Sequence, residues 1–86
     1  MAEAPEARLK RLKMRSMRRG IKEMDLILGA YADARLAGLD DAALGLYDAL
    51  LAENDHDLYQ WITGQAAAPG RFSGLISEIS AHSRAN

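Results

Sequence analysis

Apolar side chains recur every three or four residues along most of the chain, the interval that places them on one face of a helix. Pro5 suits a first helical turn, and Leu9, Leu12, Met14 and Met17 follow among basic residues, which predicts a short basic amphipathic helix ending near Ser16. A second helix is expected from about Arg19 or Gly20, carrying Ile21, Met24, Ile27, Leu28, Tyr31 and Ala34, with Gly38 closing it in a left-handed cap. Asp40 or Asp41 should cap a third helix whose inward stripe is Leu44, Tyr47, Leu50 and Leu51. Asn54 and Asp55 break the pattern. A fourth helix, capped by Asp55, closed by Gly64 and anchored by Trp61 beside Leu58 and Ile62, comes next. Residues 65–70 connect it to a fifth helix with Phe72, Leu75, Ile76 and Ile79, expected to fray after His82. The expectation is an all-α, compact single-domain bundle of five short helices spanning residues 1–86.

Composition sharpens this picture. The 86 residues include 12 Leu and 5 Ile but no Val and a single Thr, so β-branched side chains are scarce. Ala, Leu, Met, Lys, Arg and Glu, which lose little freedom in a helix, dominate. With no Cys, neither a disulfide nor a thiolate metal site is available, and the core must stand on helix packing or be completed by a partner. The apolar runs are far shorter than the roughly 20 residues a helix needs to span a bilayer. Glu3 and Glu6 break the acid-poor pattern of a transit peptide, and Arg18-Arg19 is followed by Gly20, Lys22, Glu23 and Asp25 rather than an export signal's apolar stretch. These features lead to the expectation of a soluble, cytoplasmic protein, monomeric because no long heptad pattern is present.

The formal net charge of −1 hides a strong asymmetry. Residues 1–22 carry eight bases and two acids, whereas Asp40, Asp41, Asp48, Glu53, Asp55 and Asp57 fall in a stretch without Lys or Arg. The plain reading is two solvated helix faces; the alternative is a field that orients the molecule on a partner.

His56 and His82 lack metal-ligand spacing, no serine lies in a nucleophile elbow, and the glycines form no phosphate-binding loop. The chain is therefore not expected to be an enzyme. Its basic helix could attract nucleic acid, lie on a membrane or dock on an acidic protein. The acidic remainder and the lack of aromatics among the bases argue against the first, and the lack of Trp or Phe at the apolar boundary argues against the second. A small helical regulatory adaptor, docking its basic N-terminal helix on another acidic protein, fits what remains. The most informative stretch is residues 18–25. If the second helix includes Arg19, then Arg19 and Glu23 stand one turn apart and can pair, with Gly20 between them allowing close backbone approach.

The Arg-Gly-x-x-Glu motif of Arg19, Gly20 and Glu23, preceded by Arg18 and followed by Asp25, resembles the hallmark of the succinate dehydrogenase assembly factors that promote covalent flavin attachment. Residues 50–62 resemble a second pattern of that family, with Leu50-Leu51, Asp55-x-Asp57-Leu58, the aromatic Tyr59, and Trp61-Ile62. Together the two cover roughly residues 8–80. The resemblance implies a five-helix, non-enzymatic helper that binds the flavoprotein subunit of succinate dehydrogenase, with that of fumarate reductase as a second candidate client. FAD would belong to the partner, the helper holding no cofactor, and its bond would form to a partner histidine. Carried over, Arg19, Gly20 and Glu23 form the partner-binding centre, with Arg18 and Asp25 beside them. Leu58, Tyr59 and Trp61 read more naturally as core. Many members place an aromatic residue shortly before the Arg-Gly pair, where this chain has Met14 and Met17.

Overall fold

Pro5 begins the first helix because its fixed φ suits a helical turn and its missing N–H would have had no partner there. The computed structural model describes residues 3–85 and contains α1 (Pro5–Met17), α2 (Lys22–Arg35), α3 (Asp41–Leu51), α4 (Asp55–Ile62) and α5 (Gly70–Ala85). The five expected helices are all present. Their ends differ from the sequence reading in ways that local chemistry explains.

Helix α2 begins at Lys22 rather than at Arg19 or Gly20, because Gly20 takes φ +96°, outside helical geometry, and Ile21 is extended. At its other end the helix tightens into a 3-10 turn, Leu36–Gly38, which buries Leu36. Gly38 therefore does not close α2 in a left-handed cap; among the described residues only Gly20 and Gly64 have positive φ. Asp40 caps α3 by accepting from the Ala43 N–H at 2.8 Å. Asn54, not Asp55, caps α4, accepting from the Asp57 N–H at 2.9 Å, which frees the Asp55 carboxylate for another partner. Gly64 ends α4 as expected. With its φ at +82°, the Gln65 N–H reaches Gln60 O at 2.8 Å and the Gly64 N–H reaches Trp61 O, so two terminal carbonyls are satisfied. Helix α5 continues beyond His82 to Ala85.

The core gathers side chains from every helix: Leu12 of α1, Met24, Leu28 and Tyr31 of α2, Tyr47, Leu50 and Leu51 of α3, Leu58 and Ile62 of α4, and Phe72, Ile76 and Ile79 of α5. Tyr31 and Tyr47 stack with centroids 5.8 Å apart, and Trp61, only half-buried, stacks on Phe72 at 6.3 Å. Burial raises the pKa of both tyrosines, and a 2.9 Å bond from Tyr31 Oη to Glu78 adds to the effect for Tyr31.

The inward face of α1 departs from expectation. Met14 and Met17 are exposed, and the turn between them turns Ser16 into the core instead. Ser16 Oγ donates its single proton to Leu12 O at 2.7 Å, so the 2.6 Å bond it shares with Tyr47 Oη must be donated by the tyrosine. A serine four residues after Leu12 lies on the same helical face, which was the available signal.

The two charged stretches are not independent solvated faces: α1 lies against α3, and their charges neutralise one another. Arg8 pairs with Asp41, while Arg11 and Arg15 converge on Asp48. Arg11 also takes Glu3 in a two-pronged contact. Hydrogen bonding from Arg11 holds the Glu3 and Asp48 carboxyls below their ordinary values and raises the pKa of Arg11 itself.

Candidate functional site

Helices α1 and α2 are joined by residues 18–21, and the side chain that fixes this loop is Arg19. Its guanidinium spans the junction of α3 and α4. Nε donates to Asp55 Oδ1 at 2.7 Å, Nη1 donates to Leu51 O, and Nη2 donates to Glu53 O at 2.7 Å. The cation thus lies at the carbonyl end of α3, where the helix dipole favours it, and its charge is met by the Asp55 carboxylate in the first turn of α4. Side-chain exposure is 12% for both Arg19 and Asp55, so solvent screens this ion pair less than those of the α1–α3 face. A planar guanidinium reaches these three acceptors from three separate nitrogens, a fixed spread that the single ammonium nitrogen of a lysine does not offer.

The expected pairing of Arg19 with Glu23 is therefore corrected. Arg19 precedes the helix, and its charge is committed to Asp55, 36 positions along the chain. Its backbone is fixed as well, because the Arg19 N–H donates to the half-buried Asp25 carboxylate. A local helical pair was visible in the spacing, whereas the long-range pair required α4 to fold back on the loop.

The five residues singled out in 18–25 divide accordingly. Arg19 and Asp25 face inward and brace the loop. Arg18, Gly20 and Glu23 are exposed. A β-carbon at Gly20 would have no heavy atom within 4 Å, so the glycine answers to backbone geometry and leaves the loop's outer surface bare. Exposed apolar side chains lie near it at the end of α1 and the start of α2: Met17, Ile21 and Leu26, the last 64% exposed. A shallow hollow runs between Met17, Leu26, Gly29 and Ala30, with Asp25 and Asp33 at its margin. Gly29 allows Met17 to lie close across α2, since a β-carbon there would come within 3.2 Å of Met17 Cγ.

In the second pattern, Leu58 is fully buried and Trp61 packs against the core, as expected, whereas Tyr59 is exposed. Asp55 is the residue whose role sequence reasoning missed. His56 is exposed, and among the described residues no group of three or more His, Cys, Asp or Glu side chains is arranged to hold a metal ion. No helix among the described residues is long and apolar enough to cross a membrane.

Fold and site define a small all-helical protein that presents a braced glycine loop with an apolar flank. The chain belongs to the family described as flavinator of succinate dehydrogenase, whose model matches residues 10–83. It is similar to proteins named succinate dehydrogenase assembly factor 2, mitochondrial. With that of Schizosaccharomyces pombe it shares 37% identity over 84 residues, 95% of this chain and 60% of the relative. With that of Mycosarcoma maydis identity is 38%, covering 84% of this chain and 30% of the relative, and with that of Drosophila grimshawi it is 35%, covering 84% and 50%. The chain thus spans between about a third and three fifths of the length of these relatives. Their naming as mitochondrial overturns the cytoplasmic location expected from the sequence. Cellular addresses are read by receptors from targeting segments rather than from the packing of a folded domain, so the composition of the helical bundle carries no such information.

Proposed function

We propose that this chain is a non-catalytic assembly helper that binds the flavoprotein subunit of succinate dehydrogenase and promotes covalent attachment of FAD to it. Family membership and the names of the relatives support the assembly role. The observation that carries the finer reading is the braced loop, with Gly20 bare, Glu23 exposed on the first turn of α2, and Met17, Ile21 and Leu26 available for apolar contact. FAD belongs to the partner, and the covalent bond forms there. The helper's contribution is to stabilise the partner arrangement in which the partner's own groups complete the reaction, since holding reactants in line lowers a barrier by several kcal/mol without any further reacting group. The flavoprotein of fumarate reductase is a second candidate client.

The adaptor reading loses support from the ion pairs. Arg8, Arg11, Lys13 and Arg15, four of the five bases on the helix that would dock on an acidic partner, are engaged by this chain's own acids.

The test is covalent flavin, read as fluorescence on a denaturing gel after mixing FAD-free flavoprotein subunit with FAD, with and without this protein. Faster or fuller labelling in its presence is expected. Equal labelling of a subunit known to be competent would refute the proposal.

A further inference from the structure

We infer that Asp55 is a positioning residue for partner recognition, acting through Arg19 on the loop 18–21, so that the two sequence patterns form a single device. This rests on the proposed function for its consequence but not for its geometry. The loop has few constraints of its own: a β-carbon at Gly20 would meet nothing within 4 Å, and Ile21 caps α2 without a side-chain hydrogen bond. What holds it is Arg19, through its N–H to Asp25 and its guanidinium to Asp55, Leu51 O and Glu53 O. Three of those four acceptors lie at the α3–α4 junction, and of these only Asp55 carries a charge. Asn54 already caps α4, so the Asp55 carboxylate is free to hold Arg19. Without that charge the guanidinium retains two neutral carbonyls and a weaker hold on the loop. Arg19 is itself mostly buried, so it acts on the partner by fixing Gly20, Ile21 and Glu23 rather than by reaching outward.

The experiment uses the whole chain with Asp55→Asn, Arg19→Lys and, as a control matched for lost stability, Asp40→Ala, which removes the cap of α3 without touching the loop. Far-UV circular dichroism first establishes that each variant remains helical. Amide hydrogen exchange at Arg19, whose N–H is held by Asp25, then reports on the loop alone. Asp55→Asn and Arg19→Lys are expected to speed that exchange at least tenfold relative to Asp40→Ala. Both should also weaken binding to the FAD-free flavoprotein subunit at least tenfold, whereas Asp40→Ala should not. Unchanged exchange at Arg19 in folded Asp55→Asn would overturn the positioning role. So would faster exchange with binding and labelling unaltered. Failure of the unmodified chain to bind or to promote labelling would instead refute the proposed function, and the exchange comparison would still decide whether Asp55 positions the loop.

Discussion

Replacing Gly20 separates backbone geometry from surface recognition at the point where both converge. At φ +96° an L-residue is strained by about 1–2 kcal/mol, and stiffening of the unfolded chain offsets this by somewhat less than 1 kcal/mol against it. Because nothing lies within 4 Å of the added β-carbon, no steric clash contributes. Gly20→Ala should therefore destabilise the protein by about 1 kcal/mol, lowering Tm by roughly 4–8 °C for a domain of this size. Gly38 is the internal control. It also has open space around its β-position but no positive φ, so Gly38→Ala should leave Tm unchanged or raise it slightly. Thermal unfolding followed by far-UV circular dichroism measures both, and the flavin-labelling assay is then run on the folded variants. Gly20→Arg should retain the helical signal, melt close to Gly20→Ala, and lose labelling because a long side chain now occupies the bare loop surface. If Gly20→Ala melts no lower than Gly38→Ala, the argument from backbone strain is refuted. If folded Gly20→Arg still promotes labelling, the loop surface is not the point of contact.

Three further outcomes follow from the interior and the ion pairs. Ser16→Ala should cost about 1–3 kcal/mol by leaving the buried Tyr47 hydroxyl without its acceptor, while Tyr47→Phe should cost less because Ser16 keeps Leu12 O; the double variant should be more stable than Ser16→Ala, and purely additive losses in denaturant unfolding would contradict this. The folded-state pKa of Asp48 lies below its ordinary 3.8, so its contribution is present above that pH and is lost as pH falls through the depressed value; Asp48→Asn should remove up to about 1 kcal/mol at neutral pH and flatten stability–pH curves below about pH 4. Burial raises the Tyr31 and Tyr47 pKa values above the ordinary 10.0, so the stability tied to their protonated forms is complete below pH 10 and declines as pH rises beyond it; Tyr47→Phe should reduce that alkaline loss, and an unchanged alkaline limb in a pH series of melts would count against it.

The arrangement also explains how a nearly neutral chain can carry such uneven charge. The basic N-terminal helix and the acidic middle of the sequence are two halves of one internal interface, with Asp48 gripped by Arg11 and Arg15 and Asp55 by Arg19. The exposed pairs should weaken with added salt, whereas the half-desolvated Arg19–Asp55 contact should persist.

By itself the sequence determined the helical class, the five segments and most of the core, because a helix of period 3.6 writes its buried face into residue spacing. Tyr47, Leu50 and Leu51 of α3 and Phe72, Ile76 and Ile79 of α5 could be read directly in this way. It also pointed to residues 18–25 and 50–62 as the informative stretches. Only the tertiary structure decided what those stretches do to each other. Whether Arg19 meets Glu23 one turn away or Asp55 across the fold depends on where α2 starts and how α3 and α4 turn, and local spacing encodes neither. Spacing from Leu12 places Ser16 on the inward face, but its partner there, the hydroxyl of Tyr47, 31 positions distant, emerges only from the packing. Local periodicity records which face of a helix is buried; long-range electrostatics and hydrogen bonding, available only once the helices pack, select the partner of each polar group on it.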